Sequence, residues 1–319
     1  MLGYAAYHNQ IGAVRALLAA GAKVNEGGDD WTPLHCAYDN TEITELLLAS
    51  GADVNLRDVS NRSALYFASK WGHGAVIVRT LAARGADVNI LNWRKETPLW
   101  KAAAADNLSP SIVSRLLKMG VDANDVDHLG REPIHFALLQ SVETAQLLLR
   151  EEGVTLDGED RLGRHALHFA VQSQRSDIVE FILRERPHLV NKPDIHGWTP
   201  LLWALRAPPT FCSSTTPDQL KQMLTLLLNS GASKFVKGDG ADGEVWTPAR
   251  LASYRGLSED VLELVTPDEG ELGQRQEFDR DIWTEACGRQ GQFQATVYCH
   301  MCLAVREKSF HFPSIVPLL

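Results

Sequence analysis

Residues Thr32-Pro33-Leu34-His35-Cys36-Ala37 open a stretch that runs through the apolar segment Ile43 to Leu48 and closes on Gly51-Ala52-Asp53-Val54-Asn55. Thr32 offers an oxygen to the unpaired amides of a helix start, and Pro33 at the first helical position has no amide to leave unpaired. Leu34 and Ala37 then share one face of a short first helix, and Ile43, Leu46 and Leu47 share one face of a second. Gly51 suits the left-handed conformation that ends a helix, and the Asp and Asn that follow carry turn chemistry. The spacing predicts a helix, a turn, a second helix and then a projecting hairpin.

The stretch repeats along the chain. Variants begin at Ser63 (Ser-Ala-Leu-Tyr), Thr97 (Thr-Pro-Leu-Trp), Glu132 (Glu-Pro-Ile-His), His165 (His-Ala-Leu-His), Thr199 (Thr-Pro-Leu-Leu) and Thr247 (Thr-Pro-Ala-Arg), in steps of 31, 34, 35, 33, 34 and 48 residues. A period near 33 with this motif resembles the ankyrin-repeat family, over about residues 2 to 265. The resemblance implies an all-α solenoid of helix-turn-helix units with projecting β-hairpin loops, curved and L-shaped. It also implies a concave binding face made of hairpin tips and first helices, and structural hydrogen-bonding roles for His35, His135 and His168.

The expected organisation is a repeat domain over residues 1–265, with one partial and seven complete units, an acidic linker over 266–281 and an irregular Cys-containing tail over 282–319. The first unit, Leu2 to Asn25, lacks a hairpin and a Thr-Pro start, so a frayed first helix is expected, and the chain reads as either a shortened array or a piece of a larger multidomain protein. Extra residues around Asn107 to Pro110 fall in a loop. Residues 207–217, rich in Pro and Ser, read as a flexible loop ahead of a second helix near Asp218. The segment Gly238-Asp239-Gly240-Ala241-Asp242-Gly243 fits a dinucleotide-loop pattern, but no helix opens directly from it and its aspartates repel phosphate, so it reads as an enlarged hairpin.

Composition narrows the function. A net charge of −9 opposes nonspecific attraction to phosphate backbones, so no nucleic-acid partner is expected. No apolar run is long enough for a membrane span, and the start, Met1-Leu2-Gly3-Tyr4, does not read as a secretory signal. Five cysteines, three of them in the last 33 residues, are too few and too uneven for a disulfide framework. The expected setting is intracellular, cytoplasmic or nuclear. No nucleophile elbow, zinc-protease motif or phosphate loop is present, so no catalytic residue, small-molecule substrate or cofactor is expected. Cys299 and Cys302 have the spacing of a zinc ligand pair and resemble the opening of a ZZ-type finger, with Cys287 or His311 as further ligands. A truncated or decayed finger is the stronger reading.

The expected function is therefore a non-enzymatic, monomeric scaffold for a protein partner of unstated identity. The alternative is a zinc-dependent adapter acting through the Cys segment. Trp31, Arg62, Arg131, Arg164, Trp198 and Trp246 recur just before six of the seven motif starts, while Trp93, Arg94 and Arg161 fall nearer the hairpin tips. Trp and Arg dominate interface hot spots, so this row is the candidate contact set, with bracing between hairpins as the competing role. A second row, Phe67, Lys101, Phe136, Phe169 and Trp203, reads as core. Lys70, Gln172 and Arg206, one turn further on, are expected to be more exposed and to join the binding face.

Overall fold

The computed structural model describes residues 1–27, 31–70, 74–105, 110–206, 217–240, 244–268 and 271. They divide into two compact units, Met1–Leu189 and Val190–Leu319. In the first, helices come in pairs: α1 (Leu2–Tyr7) with α2 (Ile11–Ala19), α3 (Pro33–Cys36) with α4 (Thr41–Ala49), α5 (Ala64–Lys70) with α6 (Ala75–Ala83), α7 (Pro98–Ala103) with α8 (Pro110–Lys118), α9 (Pro133–Gln140) with α10 (Val142–Leu148), and α11 (Ala166–Ser173) with α12 (Ser176–Glu185). A 3-10 turn follows at Pro187–Asn191. The second unit holds α13 (Pro200–Leu205), α14 (Pro217–Asn229), α15 (Pro248–Tyr254) and α16 (Glu259–Val265).

First helices pack on first helices, with α1 on α3, α3 on α5, and onward through α7 and α9 to α11, while second helices stack in a parallel row from α2 to α12. The second unit repeats the scheme, α13 on α15 and α14 on α16. This is an all-α repeat solenoid in which each helix pair buries its apolar face against its neighbours. The motif's third residue is core in every copy: Leu34, Leu65, Leu99, Ile134, Leu167, Leu201 and Ala249 are all buried. Full burial of one such aliphatic side chain contributes about 1.5–3 kcal/mol. The sixth residue is alanine in all seven copies (Ala37, Ala68, Ala102, Ala137, Ala170, Ala204 and Ala252) and is buried each time, which lets neighbouring first helices approach closely.

The motif's first residue caps the helix through its side chain in several copies, though not at Thr199. Thr97 Oγ1 accepts from the Trp100 amide at 3.1 Å and Thr247 Oγ1 from the Arg250 amide at 3.3 Å. Glu132 and His165 replace threonine elsewhere, and each still caps through its own side chain. Second helices use Asn40, whose Oδ1 accepts from the Ile43 amide at 3.0 Å, and Ser141. Gly51, at φ +87°, ends α4 by turning the next amide back on Leu47, a geometry that a side chain would strain.

Several expectations are met differently. α1 is a continuous helix rather than a frayed one, because Leu2, Ala5 and Ala6 are buried along it. α14 starts at Pro217. The glycine-rich insertion falls in a hairpin as read, strands β1 (Gly238–Asp239) and β2 (Val245–Trp246) pairing antiparallel, while residues 241–243 lie outside the described residues. Residues 207–216, Asn107 to Ser109 and the Cys287, Cys299 and Cys302 segment with its zinc reading lie outside the described residues.

Candidate partner-binding face

Between helix pairs the chain makes one turn repeatedly. In the first unit its members are Asp58-Val59-Ser60-Asn61-Arg62, Asn92-Trp93-Arg94-Lys95-Glu96, Asp127-His128-Leu129-Gly130-Arg131 and Asp160-Arg161-Leu162-Gly163-Arg164. The opening amide donates to the closing carbonyl at 3.0 Å for Asp58, Asp127 and Asp160, and at 3.1 Å for Asn92. Oδ1 of the opening residue accepts from the third and fifth amides, for Asp127 at 2.8 Å from Leu129 and 2.9 Å from Arg131. The fourth residue takes positive φ: Asn61 at 61°, Lys95 at 61°, Gly130 at 76° and Gly163 at 69°. Asn and Gly suit that position because they tolerate the left-handed region.

The turn also disposes of its closing side chain. Arg131 Nε donates to Asp127 Oδ2 at 2.7 Å, Arg62 Nε to Asp58 Oδ2 at 2.7 Å and Arg164 Nε to Asp160 Oδ2 at 2.8 Å. Each guanidinium lies over the first-helix phenylalanine that follows, 4.6 Å from the Phe67 ring centroid, 4.7 Å from Phe136 and 4.9 Å from Phe169. The Asn92 turn exchanges the charge: Glu96 closes it, accepting from Asn92 Nδ2 at 2.7 Å and from the Tyr66 hydroxyl at 2.5 Å. In the second unit Trp198 closes the Asp194 turn, and Trp203 Nε1 donates to Asp194 Oδ2 at 2.9 Å in place of an arginine.

This geometry corrects part of the expected contact row. Arg131 and Arg164 are each 1% exposed, Arg62 8%, Trp198 7% and Trp246 3%, so these side chains brace hairpins instead of facing a partner. The physical reason is the carboxylate four residues earlier for the arginines, and for Trp198 the Asp239 carbonyl, which accepts from its Nε1 at 2.9 Å. Gln172 is likewise buried, its amide donating to the His168 carbonyl at 3.1 Å. Phe67, Lys101, Phe136 and Phe169 are core, as read, and Trp203 is half-buried.

The remaining residues keep surface. Trp93 is 63% exposed at the second residue of its turn, with the Arg94 guanidinium 4.7 Å from its ring centroid. Arg161 is exposed at the equivalent position two turns on. Trp31, Lys70, Arg94 and Arg206 are half-buried, Trp31 with its ring centroid 5.0 Å from Phe67 and Arg206 stacked 4.7 Å from Trp203.

Successive turns of the first unit are tied by bonds between backbone amides and carbonyls, and Asn61 Nδ2 adds a side-chain bond to the Leu91 carbonyl at 2.6 Å. The Trp93 amide donates to the Ser60 carbonyl at 3.2 Å, the His128 amide to the Arg94 carbonyl at 2.9 Å and the Arg161 amide to the Leu129 carbonyl at 3.0 Å. The motif histidines add a second tie. His35 accepts from the Thr32 amide through Nδ1 at 3.2 Å and donates through Nε2 to the Arg62 carbonyl at 2.9 Å. His135 links the Glu132 amide (3.0 Å) to the Gly158 carbonyl (3.2 Å) in the same way. Burial holds His35 below its ordinary pKa and His135 down at about 4, so both rings are neutral spacers. Burial also raises Glu132.

A family model for ankyrin repeats, in three copies, matches residues 2–92, 65–160 and 99–194. The chain belongs to the ankyrin-repeat family. Repeats of this family serve in protein–protein interaction. A candidate palmitoyltransferase of Danio rerio, ZDHHC13, is 30% identical over 163 residues, 49% of this chain and 25% of that protein. Ankyrin repeat protein nuc-2 of Neurospora crassa is 26% identical over 198 residues, 60% of this chain and 18% of its own length. The E3 ubiquitin-protein ligase KEG of Arabidopsis thaliana is 24% identical over 280 residues, 83% of this chain and 16% of the ligase. The ankyrin chain thus spans a quarter or less of these three relatives. Among the described residues, no helix is long and apolar enough to cross a membrane.

Proposed function

We propose that the chain is a non-enzymatic scaffold that holds a protein partner on its hairpin and first-helix face. The observation that carries this reading is Trp93, a large aromatic side chain 63% exposed on a tip whose backbone is fixed on both sides by hydrogen bonds. A rigid tip presents such a side chain with little ordering cost, and tryptophan beside arginine is the composition of an interface hot spot. Trp31, Lys70, Arg94 and Arg161 supply the surrounding contacts in the first unit, and Arg206 offers a cation in the second. The repeat domain is assigned to residues 1–265, as one partial and seven complete units, ahead of the acidic linker 266–281 and the Cys-containing tail 282–319. The scaffold acts as an intracellular monomer.

Affinity capture with the whole chain and mass-spectrometric identification supplies the partner. Trp93→Ala together with Arg94→Ala is expected to weaken that partner by more than about 2 kcal/mol, while deletion of residues 282–319 leaves binding intact. Unchanged affinity in the double variant, with the fold retained by circular dichroism, refutes this placement of the site.

A further inference from the structure

The four turns of the first unit sort their charges. Asp58, Asp127, Asp160 and Glu96 are all buried, and each carboxylate accepts hydrogen bonds from within its own turn. The cations split differently: Arg62, Arg131 and Arg164 are buried with those aspartates, whereas Arg57, Lys95 and Arg161 are exposed and Arg94 is half-buried over the Trp93 ring. Arg57 Nη1 donates to the neutral Asn61 side chain at 3.2 Å, a bond that leaves its charge standing. A chain of net charge −9 therefore turns a locally positive edge outward where its turns line up. Within the same turns and the residues flanking them, Val59 is 74%, Trp93 63% and Leu91 40% exposed, and the Trp93 amide is bonded to the Ser60 carbonyl, which holds the first two turns side by side.

We propose that this edge docks an acidic peptide segment carrying a large apolar side chain, which deepens the scaffold reading by giving the partner's chemistry. Val59, Leu91 and Trp93 form the apolar seat. Arg57, Arg94, Lys95 and Arg161 flank it with positive charge, which steers an acidic ligand and sets its register. A phosphate backbone fits less well: the exposed Glu159 stands beside this edge, and extended basic patches are what phosphate recognition uses.

The test uses the full chain and a short fluorescein-labelled peptide rich in Glu with a central Leu-Leu pair, followed by anisotropy. Controls are the same peptide with Ser for Leu, its Lys-for-Glu counterpart and an oligothymidylate. The acidic leucine peptide is expected to bind, to weaken as salt is raised, and to bind more tightly than all three controls. Trp93→Ala should weaken it about 30-fold and the pair Arg57→Glu with Lys95→Glu about tenfold or more, with circular dichroism unchanged. The inference is overturned if the acidic leucine peptide does not bind, if the Lys peptide or oligothymidylate binds as tightly, if salt has no effect, or if the folded variants bind as well as wild type. A captured protein partner that is lost from the Trp93→Ala, Arg94→Ala double variant while the peptide fails would sink this inference and leave the scaffold reading standing.

Discussion

Asp127→Ala isolates the element that builds the hairpin face. Asp127 Oδ1 accepts from two backbone amides, at 2.8 and 2.9 Å, and Oδ2 from Arg131 Nε at 2.7 Å and Nη2 at 2.5 Å. Arg131 is 1% exposed, so removing the carboxylate leaves a guanidinium buried over Phe136 and Trp100 with its charge uncompensated. Breaking one side of a buried ion pair costs about 3–5 kcal/mol. Asp127→Asn keeps the oxygen that serves the two amides, each worth about 1 kcal/mol net, and should recover about 1–2 kcal/mol of the loss. Asp127→Ala combined with Arg131→Met removes both charges, and should be more stable than Asp127→Ala alone. Urea unfolding followed by far-ultraviolet circular dichroism reads the series; with a slope of about 2 kcal/mol per molar, the single alanine variant loses about 1.5–2.5 M in midpoint. A shift corresponding to under about 1 kcal/mol, or a double variant no more stable than Asp127→Ala, would refute the idea that this buried pair sets the turn.

His135 titrates at about 4 in the fold because of burial, against about 6.5 in the unfolded chain, so on acidification the unfolded chain takes the proton first. Its contribution is whole above about pH 6.5 and is lost as pH falls toward about 4, in total about 3 kcal/mol; pH–stability curves of wild type and His135→Gln running parallel across that window would contradict this. Burial pushes the Cys36 thiol up to about 12. At pH 8 its labelling by iodoacetamide, followed by peptide mass spectrometry, should therefore be slow until urea opens the chain, and fast labelling in native buffer would refute that. Gly197 has φ +77° and a methyl group there would stand 2.7 Å from the Lys237 carbonyl oxygen. Gly197→Ala should cost about 1–3 kcal/mol in urea unfolding, and a loss under about 0.5 kcal/mol would speak against the strain.

The helix pairs were legible because their signals are local: a cap and a proline at the start, leucine and alanine at fixed offsets, glycine at the end. The hairpin face was legible only in part. Reading Arg62, Arg131 and Arg164 as contacts took them one at a time, although each has an aspartate four residues earlier and an Asn or Gly just before it. That five-residue spacing carries the signal that they are used internally. Trp198, just before a motif start, and Trp93, nearer a tip, share one candidate contact row by side-chain type, yet one donates to the Asp239 carbonyl and is buried while the other stands in solvent. The difference lies in position within the turn, fifth against second, which composition does not weigh. The exchange of charge at Asn92 and Glu96 depends on Tyr66, a residue of α5, the first helix of the preceding pair, and no local pattern announces it.

Three of the bonds that join one turn to the next run between a backbone amide and a backbone carbonyl, with the amides supplied by Trp93, His128 and Arg161. Any residue but proline at Trp93, His128 and Arg161 therefore keeps the amide that these three bonds need. Mutation at these three places is free to rewrite the recognised target while inheritance preserves the frame, and a randomised library confined to them and lacking proline should be rich in foldable members.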